Sequence, residues 1–576
     1  MINNQITKNI SIKERFFTKE KLLFGSIVFV LVFILCGVLY KNMGHDSDAF
    51  GMVYGAAKER FTFASFFKVK SSADTESTLN EMHNKGWGDV NFFSTYRPLR
   101  KLMIYFSFKL FGENAYAYFL VAAFFHAFTS VLLFLIFTFF LSNLYAFLLS
   151  IVFAFHPVLF NSYIGLTCLA IPVFLFLFLS AFLYALYYRF NYLFLYFLSA
   201  VIYFVSLFFY EMPLSFPFII LLFLLFFDKK NIFKKSYLFF LAMASYFFTK
   251  ILLFGGMAKN QNVTILSVVK LIKCRIISTL NNWYQMIKPF WGMQDFSKVF
   301  VSVITGIFLI GVVLQLILDK KNRKKIVFYI LSFFAASWVL FIYCSNGRYL
   351  YFAVPFFCLI VFEQIKFLSG FLSVKFRKGF VVCGLLLFSV WGIYRATSSL
   401  KRRELYTYRR DIAFQNIVKK YGSIKDLQLV YLGALQSYNN ESFLLMSCMA
   451  QASSLFFKNF NLPVYQTIEL RFYVKKTTDK NFNIYPIPGG YRFVSTDPEN
   501  IFVMCPYSWV EGKDVDSSMG VIKVNKKLDG WQATDVSFVF NDRWLELFKS
   551  KNTIFLTWDV AKWEFVELEH KNLFKN

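Results

Sequence analysis

The sequence predicts an all-α, polytopic membrane domain over residues 1–395, followed by a soluble α/β domain over residues 396–576. The chain has 576 residues, of which 57% are hydrophobic and 21% aromatic, and its mean hydropathy is +0.50. A soluble domain is much less apolar than this. About eleven apolar runs approach the length that a helix needs to cross the hydrocarbon core, about 20 residues. No such run follows residue 395.

The predicted membrane domain consists of these runs in order. They centre on residues 22–40, 115–140, 143–159, 165–187, 191–209, 213–227, 236–254, 299–318, 326–344, 349–365 and 379–395. Residues 98–111 are also apolar, but Arg100, Lys101 and Lys109 interrupt them. We therefore expect this segment to be a helix that lies in the membrane interface and does not cross it.

The basic residues predict the orientation. They cluster in residues 8–21, 229–235, 320–325 and 366–378, and eleven spans would place all four clusters in the cytoplasm, as the positive-inside rule requires. The net charge of +28 is thus explained without nucleic acid. The N-terminus would be cytoplasmic, and residues 41–97, 256–298 and 396–576 would face outward. Phe- and Lys-rich composition, without organelle-retention motifs, favours a bacterial cytoplasmic membrane.

The predicted C-terminal domain differs in composition from the rest of the chain. It has ordinary polar content, short β-like runs at Leu427–Leu432 and Asn500–Met504, and a turn signal at residues 488–490. This pattern is typical of a folded α/β domain, which the predicted topology makes extracytoplasmic.

Two carboxylates follow the outer end of the first predicted span directly. Asp46 and Asp48 would be held close to the lipid surface, where a carboxylate base can reach a lipid-linked substrate. This spacing is common by chance, so a solvated loop start is an equally natural interpretation. Glu211 lies between two apolar runs, where an acid is costly unless it is paired or hydrated. It would either cap a helix N-terminus or line a cavity.

Further polar residues lie at span ends or inside spans. His126 is within the second run, His156 is near the outer end of the third, and Arg348 and Tyr349 form part of the turn before the tenth. Arg348 can extend to lipid phosphates or bind a phosphate of a substrate headgroup. The loop at 256–298 combines basic residues with Trp, which fits an anionic lipid and a sugar as well as an interfacial helix.

Taken in order, these motifs resemble the GT-C superfamily of polytopic glycosyltransferases, and within it the protein O-mannosyltransferase type (family 39-like). The resemblance covers roughly residues 20–365. In many members two acids are adjacent, whereas Ser47 takes the second place here, and the tail lacks TPR or MIR-like repeats. The matching motifs are Asp46 and Asp48, Tyr96-Arg97-Pro98-Leu99, His126, Phe153-Ala154-Phe155-His156-Pro157, Tyr210-Glu211 and Arg348-Tyr349-Leu350-Tyr351.

The resemblance implies transfer of a sugar from a polyprenyl-phosphate donor to an extracytoplasmic acceptor, which would be a glycan, a lipid or a protein. Asp46 or Asp48 would be the catalytic base. Substrate binding would involve Arg97, Glu211, Arg348, Tyr349, His156 and His126, with Arg97 and Arg348 at the leaving phosphate. The reaction needs no metal in principle, although the paired acids could hold a divalent ion.

A transporter or flippase of lipid-linked sugars is the main alternative. It would also have many spans and basic loops, but it would need no exposed acid.

Overall fold

The computed structural model describes residues 18–44, 97–164, 171–254, 286, 298–337, 347–432 and most strands and turns between 434 and 569. Asp46 and Asp48 lie outside these residues. The chain forms two compact units. We call the first the helical unit, which comprises Met1–Lys41, Arg97–Arg100 and Ala117–Arg402. The second, the sheet unit, comprises Asn42–Tyr96, Lys101–Tyr116 and Arg403–Asn576.

Helices account for most of the described chain before residue 422, as its apolar runs predict. They are α1 (Lys19–Phe33, continued by a π turn Ile34–Val38), α2 (Pro98–Phe111), α3 (Ala115–Phe137), α4 (Asn143–Ala154), α5 (Pro157–Ile164), α6 (Ile171–Phe190), α7 (Leu193–Leu207), a 3₁₀ turn (Met212–Ser215), α8 (Phe216–Phe227), α9 (Ile232–Phe254), α10 (Lys298–Leu318), α11 (Arg323–Ser337), a 3₁₀ turn (Gly347–Phe352), α12 (Val354–Ser369) and α13 (Val374–Tyr421).

Several of these helices have the length and composition of membrane spans. Among the described residues, five helices are long and apolar enough to cross a membrane. They are Lys19–Val38, Ala115–Phe137, Ile171–Phe190, Leu350–Ser369 and Val374–Tyr421. Four further apolar helices are shorter. The chain is therefore a multi-pass membrane protein, while eleven crossings remain a prediction.

Two predicted boundaries differ from the observed ones. The third run, predicted as one helix over 143–159, is divided at His156, because Pro157 disfavours helical geometry in the residue before it and has no N–H to donate. The last helix does not end near residue 395 but continues to Tyr421, because no Gly or Pro interrupts residues 393–421. The helical unit ends within this helix, at Arg402.

The described basic clusters share one end of the helical unit. Short turns at 138–142, 191–192, 228–231, 319–322 and 370–373 join consecutive helices there. Residues in or next to four of these turns, and Lys325 in the first turn of α11 after the remaining one, line one cavity. The start of α1 lies at the same end, since Asn143 Nδ2 donates to Glu20 Oε2 at 2.7 Å. We call this the basic end. The observed placement fits the predicted alternation, and the membrane side that it faces stays a prediction.

Strands begin after α13, as predicted. A four-stranded sheet has the order β13-β12-β1-β4, with β1 parallel to both neighbours. A nine-stranded sheet contains β3-β2-β5-β8-β11-β10-β9, with β7 paired to β11 and β6 to β7. The strands are β1 (Leu427–Tyr431), β2 (Ala434–Tyr438), β3 (Glu441–Ser442), β4 (Val464–Gln466), β5 (Leu470–Val474), β6 (Phe482–Ile487), β7 (Gly490–Ser495), β8 (Ile501–Met504), β9 (Val515–Ser517), β10 (Gly520–Lys527), β11 (Gln532–Phe540), β12 (Asn552–Asp559) and β13 (Glu564–Glu567).

One short helix, α14 (Asp542–Lys549), connects β11 to β12. Its buried Phe548 packs against Phe540 and Phe555, with ring centroids 5.4 and 5.3 Å apart. These three rings join strands of the two sheets to the helix. The sheet unit therefore has an aromatic core of its own.

Candidate functional site

Arg97 and Glu211, 114 residues apart in the sequence, form an ion pair inside the helical unit. Arg97 Nε and Nη2 donate to the same carboxylate oxygen, Glu211 Oε2, at 3.0 and 2.8 Å. Their side chains are only 10% and 8% exposed. An ion pair that is removed from water among apolar helices is costly to form and is commonly functional.

Two neighbours complete this group. The guanidinium carbon of Arg97 lies 3.8 Å from the ring centroid of Tyr210, and that of Arg100 lies 5.8 Å from the same centroid. Arg100 follows Arg97 by three residues at the start of α2, a spacing that places two side chains on one helix face. We call Arg97, Arg100, Tyr210 and Glu211 the arginine cluster. Its described members carry two cations and one anion.

The turn after α7 positions Glu211. The helix ends at Leu207, and the 3₁₀ turn that contains Pro213 begins at Met212. Glu211 occupies the N-cap position of that turn, but its side chain makes no capping hydrogen bond. Of the two roles expected from the sequence, capping is therefore not observed. The carboxylate binds Arg97 instead.

His126 belongs to a separate buried network. Its Nδ1 is 2.5 Å from the hydroxyl of Tyr351, and its Nε2 is 2.9 Å from the carbonyl oxygen of Ala154. A neutral imidazole satisfies both contacts if Nε2–H donates to the carbonyl and Nδ1 accepts from the hydroxyl. The Tyr351 ring also stacks on Phe174, with centroids 4.1 Å apart. His126 thus links α3 to α4 and to the turn Gly347–Phe352.

His156 is buried at the break between α4 and α5. Its Nδ1 accepts a hydrogen bond from the backbone N–H of Val158 at 3.3 Å, and its ring meets Phe357 edge to face, with centroids 5.5 Å apart. Arg348 and Tyr349 are placed in the 3₁₀ turn Gly347–Phe352, but their side chains lie outside the described part of the structure. The predicted convergence of Arg348 with Arg97 remains a prediction.

The segment leading to Asp46 is anchored within the sheet unit. The backbone N–H of Asn42 donates to Glu404 Oε1 at 2.8 Å, and that of Gly44 donates to Thr407 Oγ1 at 2.9 Å. A Cβ on Gly44 would clash with the carboxylate of Asp411 and lie 3.0 Å from Thr407 Cβ, so a larger residue here would force these side chains or the segment itself to shift. The chain is therefore fixed two residues before Asp46.

Sequence reasoning missed three of these contributors. From the sequence, Arg100 indicates only an interfacial helix, although its spacing from Arg97 is a usable signal. Tyr210 enters the sequence motifs only as the neighbour of Glu211, and nothing in the sequence connects Gly44 with α13. Among the described residues, no group of three or more His, Cys, Asp or Glu side chains could hold a metal ion.

Comparisons with known proteins give only distant similarity. No family model and no curated protein matches this chain. The crystal structure of ArnT from Cupriavidus metallidurans bound to undecaprenyl phosphate has a TM-score of 0.39 at 7% identity, over 80% of this chain and 93% of that one. Its apo crystal structure gives 0.38 at 9% identity, over 77% and 85%. Values this low establish neither a family nor an activity, so we infer function from the chain's own residues.

Proposed function

We propose that this protein is an integral membrane glycosyltransferase that transfers a sugar from a polyprenyl-phosphate donor to an extracytoplasmic acceptor. The observation that carries the proposal is the arginine cluster. The GT-C resemblance implies that Arg97 and Glu211 belong to one site, and the chain brings them to 2.8 Å from each other.

The cluster suits a lipid phosphate on electrostatic grounds. Glu211 balances one of the two guanidinium charges, which leaves a net positive charge among the described members of the cluster. Guanidinium groups bind phosphate oxygens with directed N–H bonds. When the bond between the sugar and the phosphate breaks, negative charge grows on the leaving phosphate. A fixed cation beside it therefore stabilises the transition state more than the ground state.

The proposed step is a displacement at the anomeric carbon. The acceptor oxygen forms a bond to that carbon, the bond from the carbon to the phosphate oxygen breaks, and the polyprenyl phosphate leaves with the bonding electrons. A carboxylate, Asp46 or Asp48, takes the hydroxyl proton. This step needs no metal ion, and we expect transfer to persist after treatment with a chelator.

Transfer of radiolabel tests the proposal. The purified full-length protein in detergent would receive labelled sugars on undecaprenyl phosphate, the lipid named in the ArnT structure and used here only as a probe. Protein, lipid and polysaccharide fractions of a membrane extract would serve as acceptors. A general base typically contributes about 10² to 10⁴ in rate, so Asp46→Asn should lower transfer by that factor.

The matched control is Asp228→Asn, which removes a carboxylate that is paired with Lys235 at the basic end. It should keep near wild-type transfer. If Asp46→Asn and Asp48→Asn both folded and both retained full transfer, the assignment of the base would be wrong. A flippase would move labelled lipid between leaflets without transferring the label.

Cysteine labelling tests the proposed sidedness. Glu546 is exposed on α14, so Glu546→Cys, in a variant without native cysteines, should react with an impermeant reagent from the outside of intact cells. Reaction only after the membrane is opened would contradict an extracytoplasmic sheet unit.

A further inference from the structure

The basic end of the helical unit contains a large cavity. Its volume is about 2330 Å³, and its walls come from α3, α4, α6, α7, α8, α9, α11, α12 and α13. Sites for drug-sized ligands enclose about 300 to 1,000 Å³. The cavity therefore has room for a much larger amphiphilic molecule.

Its lining separates into an apolar and a basic zone. Phenylalanine rings dominate the apolar zone, among them Phe178, Phe216, Phe223, Phe328 and Phe356. The remaining lining includes seven Lys and Arg side chains and two carboxylates. Both zones consist of described residues of the helical unit alone.

The carboxylates account for only part of this positive charge. Asp228 pairs with Lys235, and Glu363 Oε2 lies 3.7 Å from Lys366 Nζ. Arg377 donates to the carbonyl oxygens of Leu372 and Gly370, at 3.0 and 3.1 Å, beyond the end of α12. The other cations in the described lining are Arg189, Lys234, Lys325 and Lys378. Lys325 also interacts electrostatically with Glu363, so two carboxylates face seven cations in total.

We infer that the cavity binds an anionic phospholipid of the surrounding bilayer. The phosphate headgroup would contact the basic zone, near Lys325 and Lys378, and the acyl chains would fill the apolar zone. Basic pockets between membrane helices are suited to anionic lipid headgroups. A free phosphate would leave the sides of these rings that face the cavity without an apolar partner, and their dispersion contacts with acyl chains would be lost. The site is separate from the arginine cluster and does not depend on the proposed transfer activity.

Native mass spectrometry of the full-length protein tests this inference. The protein would be delipidated and then equilibrated with vesicles of phosphatidylglycerol or phosphatidylcholine that have identical acyl chains. We expect phosphatidylglycerol to be retained preferentially, and millimolar inorganic phosphate not to displace it. Each Lys near an anionic lipid surface contributes about 1 kcal/mol, so K325Q/K378Q should bind about 30-fold more weakly, since a factor of ten corresponds to about 1.4 kcal/mol.

The matched control is K320Q/K321Q. It removes the same charge at the same end, but neither residue lines the cavity, so lipid retention should stay unchanged. A second variant, A181F/A185F, fills the apolar zone and keeps every cation, and it should lower retention by at least about tenfold. Unfolding curves would show whether each variant folds.

Three results would overturn the inference. The first is equal retention of the two lipids. The second is an equal loss in K320Q/K321Q, which would mean that only the surface charge attracts the lipid. The third is full retention in A181F/A185F, which would place the acyl chains elsewhere.

Discussion

A double-mutant cycle on Arg97 and Glu211 separates a structural ion pair from a phosphate ligand. Glu211→Gln keeps the shape of the side chain but removes its charge, and Arg97→Gln removes the other charge. The double variant removes both. Because the bonds of 2.8 and 3.0 Å are buried, stability and activity should respond differently to the three changes.

The expected stabilities follow from burial. Removal of one partner of a buried pair costs about 3 to 5 kcal/mol, because it leaves an uncompensated charge. In Glu211→Gln the stacking of Arg97 on Tyr210 retains about 1 to 2 kcal/mol, and a Gln oxygen still accepts a hydrogen bond. We therefore expect the free energy of unfolding to fall by about 2 to 3 kcal/mol in Glu211→Gln and by about 3 to 4 kcal/mol in Arg97→Gln. The double variant removes both charges of the pair together and should lose less stability than either single variant, about 1 kcal/mol.

The expected activities follow a different order. Glu211→Gln retains the guanidinium, so transfer should stay within about tenfold of wild type. Loss of one preorganised donor to developing charge costs about 10² to 10³ in rate, and this loss should appear in both Arg97→Gln and the double variant. Denaturant unfolding in mixed micelles gives the stability, and label transfer gives the activity.

The decisive result is the double variant. If it recovers both stability and transfer, Arg97 only forms a structural ion pair with Glu211, and the phosphate assignment is refuted. Recovered stability with lost transfer supports a direct role for Arg97.

Three further predictions concern other parts of the chain. His126→Leu removes both imidazole hydrogen bonds and should lower the free energy of unfolding by about 1 to 3 kcal/mol, whereas a residue that only binds substrate would leave unfolding unchanged. Gly44→Ala should displace the segment before Asp46, because the new Cβ meets the carboxylate of Asp411. The rate of sugar transfer should fall by about tenfold or more with little change in the free energy of unfolding. Normal transfer would contradict the anchoring role. The Arg492 guanidinium holds the pKa of Asp535 below its ordinary value, with bonds of 3.0 and 2.5 Å. The pair therefore stabilises the fold above the unfolded pKa of about 3.9, and this contribution disappears as the pH falls through the lower folded pKa. Asp535→Asn should lower the free energy of unfolding by roughly 1 kcal/mol at pH 7, since Arg492 is half exposed, and should not change it at low pH. An equal loss at both pH values would show that the charge is unimportant.

Local sequence determined the helices and much of their order. The apolar runs predicted at 115–140 and 165–187 correspond to the helices α3 and α6, because in lipid the backbone must satisfy its own hydrogen bonds. The short basic turns between such runs indicate a shared end. Backbone chemistry explains the two boundaries that differ from the predicted ones. Pro157 accounts for the break between α4 and α5, and the absence of Gly and Pro from residues 393–421 accounts for the continuation of α13 to Tyr421. The strands after α13 were recognisable from β-like runs between turn signals.

Tertiary structure decided which polar residues meet. For Glu211 the sequence leaves two roles open, a helix cap or a cavity residue, and only the tertiary placement of Arg97 next to the turn after α7 pairs the two side chains. In the sequence, His126 and the Tyr351 segment are separate motifs, and the fold joins them in one hydrogen-bonded network. The cavity at the basic end depends on nine helices that no local pattern relates. The physical reason is the same in each case: periodicity reports the environment of a residue along its own helix, whereas the partner of a buried charge is fixed by contacts between residues distant in the sequence.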